Sequence, residues 1–257
     1  MIGGTYIVGD IHGCFSEWIT LKNRIEAEDE KAKFILVGDI IDRGNETTKM
    51  IDWAMSNITL DGKYQMIMGN HEFERIISWE RFYEPIRKLC KNDMIDTKYI
   101  ALDRYNFAEI LSKEGKTWQY MENFLNWCKK LPYYKDIVVN GIRFIIVHAN
   151  LPYSIINWNT HELREPRTFK EKDYITFDRE CGDFDKIPNA VLVHGHNASV
   201  FPDSFHFSLD ITEDDLGKII YMSNRINIDC GLVYKQYGKP GNLAAIRLDD
   251  LKEYYLY

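Results

Sequence analysis

The sequence predicts an α/β fold with a partly parallel sheet whose strand ends carry the chemistry. Two observations predict it. Short runs rich in Val, Ile and aromatic residues alternate with helix-length segments through the first third of the chain, the pattern of βαβ units. Four strand-like runs also end in glycine-flanked clusters of Asp, His and Asn: Gly9-Asp10-Ile11-His12-Gly13, Gly38-Asp39-Ile40-Ile41-Asp42-Arg43-Gly44, Gly69-Asn70-His71-Glu72 and His194-Gly195-His196. Open α/β sheets bind ligands at the carboxyl ends of their strands, so one site assembled from several loops is expected.

The elements follow in order. Thr5–Val8, Phe34–Val37 and Tyr64–Met68 read as buried strands. Cys14–Glu28 and Glu46–Asn57 read as the helices between them, with Asn45 placed to cap the second. From Glu72 to Lys130 the pattern turns helical. Trp118, Met121, Leu125 and Cys128 fall on one amphipathic face, and a helical insertion at about residues 73–130 is expected beside the cleft. Beyond Pro132, Ile137–Val139 and Arg143–Val147 flank Asn140-Gly141, a two-residue hairpin signal that puts His148 at the end of a strand. Residues 149–189 read mostly as loop with a short helix. Ala190–Val193 and Leu243–Leu248 read as further strands, and residues 1–257 as one domain.

Composition narrows the class. At 257 residues and 45% hydrophobic content the chain can bury a substantial core. A formal charge of −7 argues against general nucleic-acid binding, which draws on clustered Lys and Arg. No apolar run approaches a membrane span and the first strand begins almost at Met1, so a cytoplasmic protein without membrane association is expected. Five cysteines, Cys14, Cys90, Cys128, Cys181 and Cys230, are widely spaced and suggest neither a disulfide framework nor a zinc ribbon.

Asp10, His12, Asp39, Asn70, His148 and His196 offer more ligands than one ion needs. If Asp39 bridges, one ion takes Asp10, His12 and Asp39, and a second takes Asp39, Asn70, His148 and His196. Nitrogen and oxygen ligation without thiolate suits Mn, with Fe or Zn as alternatives. A pair of ions about 3.5–4 Å apart can clamp the attacking and leaving oxygens of a phosphoryl group. His194 alternates away from His196 and reads as a buried, hydrogen-bonded histidine.

The ordered motifs Gly-Asp-Ile-His-Gly, Gly-Asp-x-x-Asp-Arg-Gly and Gly-Asn-His-Glu, then Val147-His148-Ala149, Gly195-His196 and Ile226-Asn227-Ile228-Asp229-Cys230-Gly231, resemble the phosphoprotein phosphatase family of calcineurin-like metallophosphoesterases, in its bacterial and phage branch. The resemblance implies two facing mixed sheets flanked by helices, a four-layer αββα sandwich. It also implies in-line attack by a hydroxide bridging two divalent ions, with His71 protonating the leaving oxygen, Asp42 orienting His71, and Arg43 holding the phosphate with Asn70 nearby. A second phosphate-binding arginine is expected after His148. Ile175-Thr176-Phe177-Asp178-Arg179-Glu180 looks like the family's segment, which favours Arg179, with Arg164 in reserve. Glu72 and Asp229 read as supporting residues. Asn45 and Asn150 depart from the family's frequent proline and glycine.

Phosphoserine or phosphothreonine in a protein, or a small phosphoester, is the first substrate reading. The alternative is diadenosine tetraphosphate or another dinucleoside polyphosphate, for which Trp79, Phe82 and Tyr83 could supply an adenine platform. An inactive binding or scaffold protein on the same fold is the reading from another class. A covalent route through Cys14 is conceivable but disfavoured by its place at a helix start.

Overall fold

A computed structural model describes residues 3–90, 92–95, 105–179, 187–201 and 211–256. Glu180 and Cys181 lie outside the described residues. Two five-stranded sheets form the frame. The first has the order β10 (Lys252–Leu256), β9 (Leu243–Arg247), β1 (Thr5–Val8), β2 (Lys33–Leu36), β3 (Tyr64–Met66). β1, β2 and β3 run parallel, and β9 lies antiparallel on the other side of β1. The second has the order β4 (Tyr134–Val139), β5 (Ile142–Val147), β6 (Ala190–His194), β8 (Arg225–Asn227), β7 (Ile220–Met222), with β5, β6 and β8 parallel.

Side-chain alternation along these strands builds the layers. Tyr6, Val8, Phe34 and Leu36 point to an outer core with Trp18, Leu21 and Ile25 of α1 (Phe15–Glu28) and Met50, Ile51 and Ala54 of α2 (Thr47–Asn57). Ile7, Ile35 and Val37 point the other way, into the core shared with Phe144, Ile146, Val193 and Ile226 of the second sheet. Ile145, Val147 and Leu192 face outward again, onto Ile155 and onto Ile175 of the later helix Phe169–Phe177. Both faces of each sheet are covered, so the central strands read as continuous apolar runs. The result is helix, sheet, sheet, helix.

Between the sheets in sequence lie α3 (Asn70–Ser78), a π-helical turn (Trp79–Tyr83), α4 (Glu84–Leu89), α5 (Phe107–Lys113) and α6 (Trp118–Cys128). Trp118, Met121, Leu125 and Cys128 are all buried along α6, whose start is capped by the Thr117 hydroxyl accepting from the Tyr120 N–H. The helix Phe169–Phe177 is α7. Its Thr168–Glu171 capping box supplies the start signal in an otherwise irregular stretch. At the hairpin both Asn140 (φ 50°) and Gly141 (φ 82°) take positive φ, the geometry of a tight primed turn.

Two expectations are corrected. Asn45 is exposed and does not cap α2. Glu46 takes the cap position without a side-chain cap, its N–H donating to Gly13 O at 2.9 Å and its carboxylate accepting from the Ser16 N–H at 2.8 Å. Trp79 and Tyr83 form no platform: both are buried, with ring centroids 6.3 and 6.2 Å from Trp118. Their helical spacing serves the packing of α6.

Gly38 marks where the frame is tightest. It sits at φ +103° where β2 leaves the sheet, and a Cβ there would fall 2.5 Å from Gly69 Cα. Gly38→Ala is expected to lower stability by about 2 kcal/mol or more, combining backbone strain with a clash between two site loops. Gly115 also has positive φ (+67°) but open space around it. Gly115→Ala should cost only about 1 kcal/mol. Denaturant midpoints of the two variants check this ordering, and equal losses would contradict it.

Candidate functional site

Every strand pointing into the cleft ends in a sharp turn. Five residues at those turns adopt the left-handed backbone region, costly for non-glycine residues: His12 (φ 48°), Asp39 (φ 51°), Asp42 (φ 67°), Arg43 (φ 68°) and His196 (φ 67°). Such strain persists only where surrounding contacts over-determine it. Those contacts are present. The Glu72 carboxylate on α3 accepts from the backbone N–H of Asp39 (2.9 Å) and of Ile40 (3.0 Å). The N–H groups of Ile11 and His12 donate to Asp39 O at 3.2 and 2.9 Å.

Asp10, His12, Asp39, Asn70, His148 and His196 are all buried, and the turns bring them together at one end of both sheets. Among the described residues, two groups of ligand atoms lie within 4.8 Å of one another: His12, Asp39 and His71, and Asp39, His148 and His196. Asp39 belongs to both. Its Oδ2 is 3.7 Å from His12 Nε2 and 3.4 Å from His148 Nε2. Asn70 Oδ1 lies 2.8 Å from both His148 Nε2 and His196 Nδ1. Asp10 stands outside the two groups, its carboxylate accepting from the His196 N–H at 3.2 Å.

The second nitrogen of each imidazole is tethered to a backbone carbonyl: His12 Nδ1 to Ile41 O (3.0 Å), His148 Nδ1 to Val37 O (2.8 Å) and His196 Nε2 to Phe177 O (3.2 Å). A proton held on that nitrogen leaves the other lone pair facing the carboxylates, the orientation that ligating histidines require. Burial, helped by the Arg43 charge, holds His12 well below the usual imidazole range. Burial also holds His196 low, with His148 and Arg179 adding to it. For His148 burial acts downward too, but the Asp39 carboxylate outweighs it and raises the imidazole to about 9. Burial and the Asp229 carboxylate push Asp10 well up. Converging buried carboxylates beside imidazoles of which His12 and His196 are held uncharged are poorly compensated by the protein alone, and divalent cations suit that donor set.

His71 is fully buried and lies on the same rim. Its N–H donates to Asp39 Oδ1 at 2.9 Å, and its Nδ1 donates to Asp42 Oδ2 at 2.7 Å. Nε2 makes no hydrogen bond among the described residues and lies 3.8 Å from Asp39 Oδ2. Arg43 Nη1 is 2.6 Å from His12 Nε2. Arg179 sits farther out, its Nη1 donating to Asn197 Oδ1 at 3.0 Å. Arg164 is committed elsewhere, forked onto Glu171 at 2.5 and 3.3 Å where it steadies the start of α7. His194 is buried and outside both groups, with Nδ1 3.0 Å from Gly195 O, and burial with the Arg225 charge lowers it to about 3. Asp229 Oδ1 accepts from the Gly231 N–H at 2.9 Å, which fixes a turn.

Sequence reasoning missed several neighbours. Arg75 is buried behind the His71–Asp42 pair, its Nη2 3.5 Å from Asp42 Oδ2. Its place four residues after His71 on α3 was the available signal. Tyr105 packs on His71 with ring centroids 4.5 Å apart and, like Tyr234, lies 5.6 Å from the Arg43 guanidinium carbon. Tyr105 comes from an irregular segment and Tyr234 from the 3-10 helix Leu232–Tyr237, too short to carry a periodic signal. Asn150, which stands where the resembling family often has glycine, is a buried junction. It donates to Asp178 Oδ2 (2.6 Å) and accepts from Arg225 Nη2 (2.8 Å), tying the end of β5 to α7 and β8.

Comparison with known proteins agrees with this frame. A symmetrical bis(5'-nucleosyl)-tetraphosphatase of Methylobacillus flagellatus is 31% identical over 107 residues, 42% of this chain and 36% of that protein. The protein of the same name from Shewanella sediminis is 23% identical over 176 residues, 66% of this chain and 54% of that protein. The matched stretch thus spans roughly a third to a half of these relatives. A serine/threonine phosphatase structure from Saccharomyces cerevisiae, similar to human PP5, superposes with a TM-score of 0.56 at 13% identity, covering 99% of this chain and 79% of that one, a likeness of fold. Among the described residues no helix is long and apolar enough to cross a membrane. The family model of the calcineurin-like phosphoesterases matches residues 5–225, and the chain belongs to that family.

Proposed function

We propose that this chain is a phosphoesterase that works with two divalent ions and hydrolyses a dinucleoside polyphosphate. The observation that carries the two-ion part is the membership of Asp39 in both ligand groups. Asp10, His12 and Asp39 would hold one ion, and Asp39, Asn70, His148 and His196 the other. The ions, Mn first with Fe or Zn as alternatives, would supply Lewis-acid activation of water and neutralise charge on the phosphoryl oxygens.

The remaining chemistry falls to the chain's own side chains. Arg43 and Arg179 would hold phosphate oxygens through their planar forks. His71 would give the proton on Nε2 to the leaving oxygen, while Asp42 fixes the ring through Nδ1 and Arg75 steadies Asp42 from behind. Cys14 is a poor nucleophile here, because burial and the neighbouring Glu17 and Glu46 charges push its thiol up to about 12. That favours direct attack by water over a phosphoenzyme.

Sequence reading put phosphoserine and phosphothreonine first and the dinucleotide second. The names of the curated relatives reverse that order. A panel of substrates with purified, metal-loaded protein tests it. Diadenosine tetraphosphate should give nucleoside diphosphate as the nucleotide product, with kcat/KM on the order of tenfold or more above a phosphoserine peptide. Preference for the peptide would return the assignment to a protein phosphatase.

The acid role of His71 has its own signature. His71→Asn should slow hydrolysis of an alkyl phosphate by about 10²–10⁴, the range of general acid catalysis. The leaving diphosphate of a dinucleotide is a far weaker base than an alkoxide and needs less help. The loss on diadenosine tetraphosphate should therefore be smaller. Equal losses on both substrates would make His71 a binding or structural residue.

A further inference from the structure

Two cavities open on either side of the loop that carries Arg43. One, of about 340 Å³, is bordered by Arg43, Asn45, Tyr105, Asn106, Glu109 and Ile110. The other, of about 470 Å³, lies across Gly44 and Asn45 against Ser16, Glu17, Glu46, Val233 and Gln236. We infer that the smaller cavity, walled by Tyr105, Asn106 and Ile110, is the site that receives a nucleoside of the substrate. This inference rests on the dinucleotide reading above.

Three observations single out that cavity. Arg43 borders it and also lies 2.6 Å from His12 Nε2, so the cavity begins where a phosphate held by Arg43 would end. When a dinucleoside tetraphosphate is cut symmetrically, one phosphate separates the attacked phosphorus from the nearer nucleoside, and Arg43 occupies that intermediate position. The charges along the wall also balance, Arg43 and Lys113 against Glu109 and Glu114. Glu109 pairs with Lys113 at 2.7 Å, and Glu114 accepts from the Thr48 hydroxyl. An acidic or basic peptide would find little net charge there.

What the wall does offer is a ring (Tyr105), an aliphatic side chain (Ile110) and two exposed amides (Asn45 and Asn106). A nucleobase matches that chemistry, with apolar faces for the ring and the aliphatic chain and a donor–acceptor edge for the amides. The larger cavity has no aromatic side chain on its wall, where Glu17 and the Lys49-paired Glu46 stand against a single Lys235. Size alone would choose it, but chemistry does not.

The test uses the metal-loaded full chain with two substrates, diadenosine tetraphosphate and an aryl phosphate that has no nucleoside. Ile110→Arg fills the cavity, and Asn106→Gly removes an amide at a position (φ 54°) where glycine is comfortable. Ile110→Arg should lower the ratio of kcat/KM for the dinucleotide to that for the aryl phosphate at least tenfold. It should also weaken inhibition of aryl phosphate hydrolysis by adenosine. Asn106→Gly should lower the ratio several-fold. Because each variant is read as a ratio of two activities, a partly unfolded sample lowers both and leaves the ratio alone. Ser16→Arg, across the loop, should change the ratio little. A wild-type-like ratio in both pocket variants, or a loss seen only in Ser16→Arg, overturns this inference while dinucleotide hydrolysis by the wild type keeps the broader reading. Absence of dinucleotide hydrolysis in the wild type removes both.

Discussion

The structure depends on the placement of one buried carboxylate. Asp39 sits in a left-handed turn at the end of β2, where its Oδ2 faces the imidazoles of His12, His71 and His148 and its Oδ1 accepts from the His71 N–H. Burial alone would push this carboxyl up, yet His148, His71 and His12 together hold it well below the usual range. It stays ionised, and everything around it is arranged to make that tolerable. Glu72 pins the Asp39 and Ile40 amides, Gly38 lets β2 pass against Gly69, backbone carbonyls hold Nδ1 of His12 and of His148, and Asp42 holds Nδ1 of His71.

The four-layer frame explains how such a site can exist. Strands covered on both faces are rigid, and their carboxyl ends converge where β1, β2 and β3 of one sheet meet β5 and β6 of the other. The strained turns follow those ends directly, so the strain is borne by the most deeply packed elements of the molecule. Arg179 is held differently. It follows α7, which is tied to β5 and β8 through Asn150, Asp178 and Arg225, so its position depends on a polar junction rather than on a strand end.

Much of this was legible in the sequence because strand runs and ligand motifs sit side by side. Val8 followed by Gly9-Asp10, or Val37 by Gly38-Asp39, states both the element and the site in a few residues. The αββα layering was read from the family resemblance, since periodicity gave only α/β. What was not legible depends on contacts between distant segments. β7 and β8 are three residues each, too short for a period, and β10 begins straight after a turn. The aromatic spacing of Trp79, Phe82 and Tyr83 fits a core as well as a platform; Trp79 and Tyr83 pack on Trp118, while Phe82 is exposed. Tyr105 reaches Arg43 from an irregular segment and Tyr234 from the short 3-10 helix Leu232–Tyr237, and Asn150 is held by Arg225 and Asp178, both distant from it in sequence.

The claim on which the account turns is that Asp39 serves two ions at once. Elemental analysis of reconstituted protein, alongside Asp39→Asn, measures it directly. The account predicts two Mn per chain in the wild type and weakened binding at both sites in the variant. One ion per chain in the wild type, or two intact sites in Asp39→Asn, would contradict it.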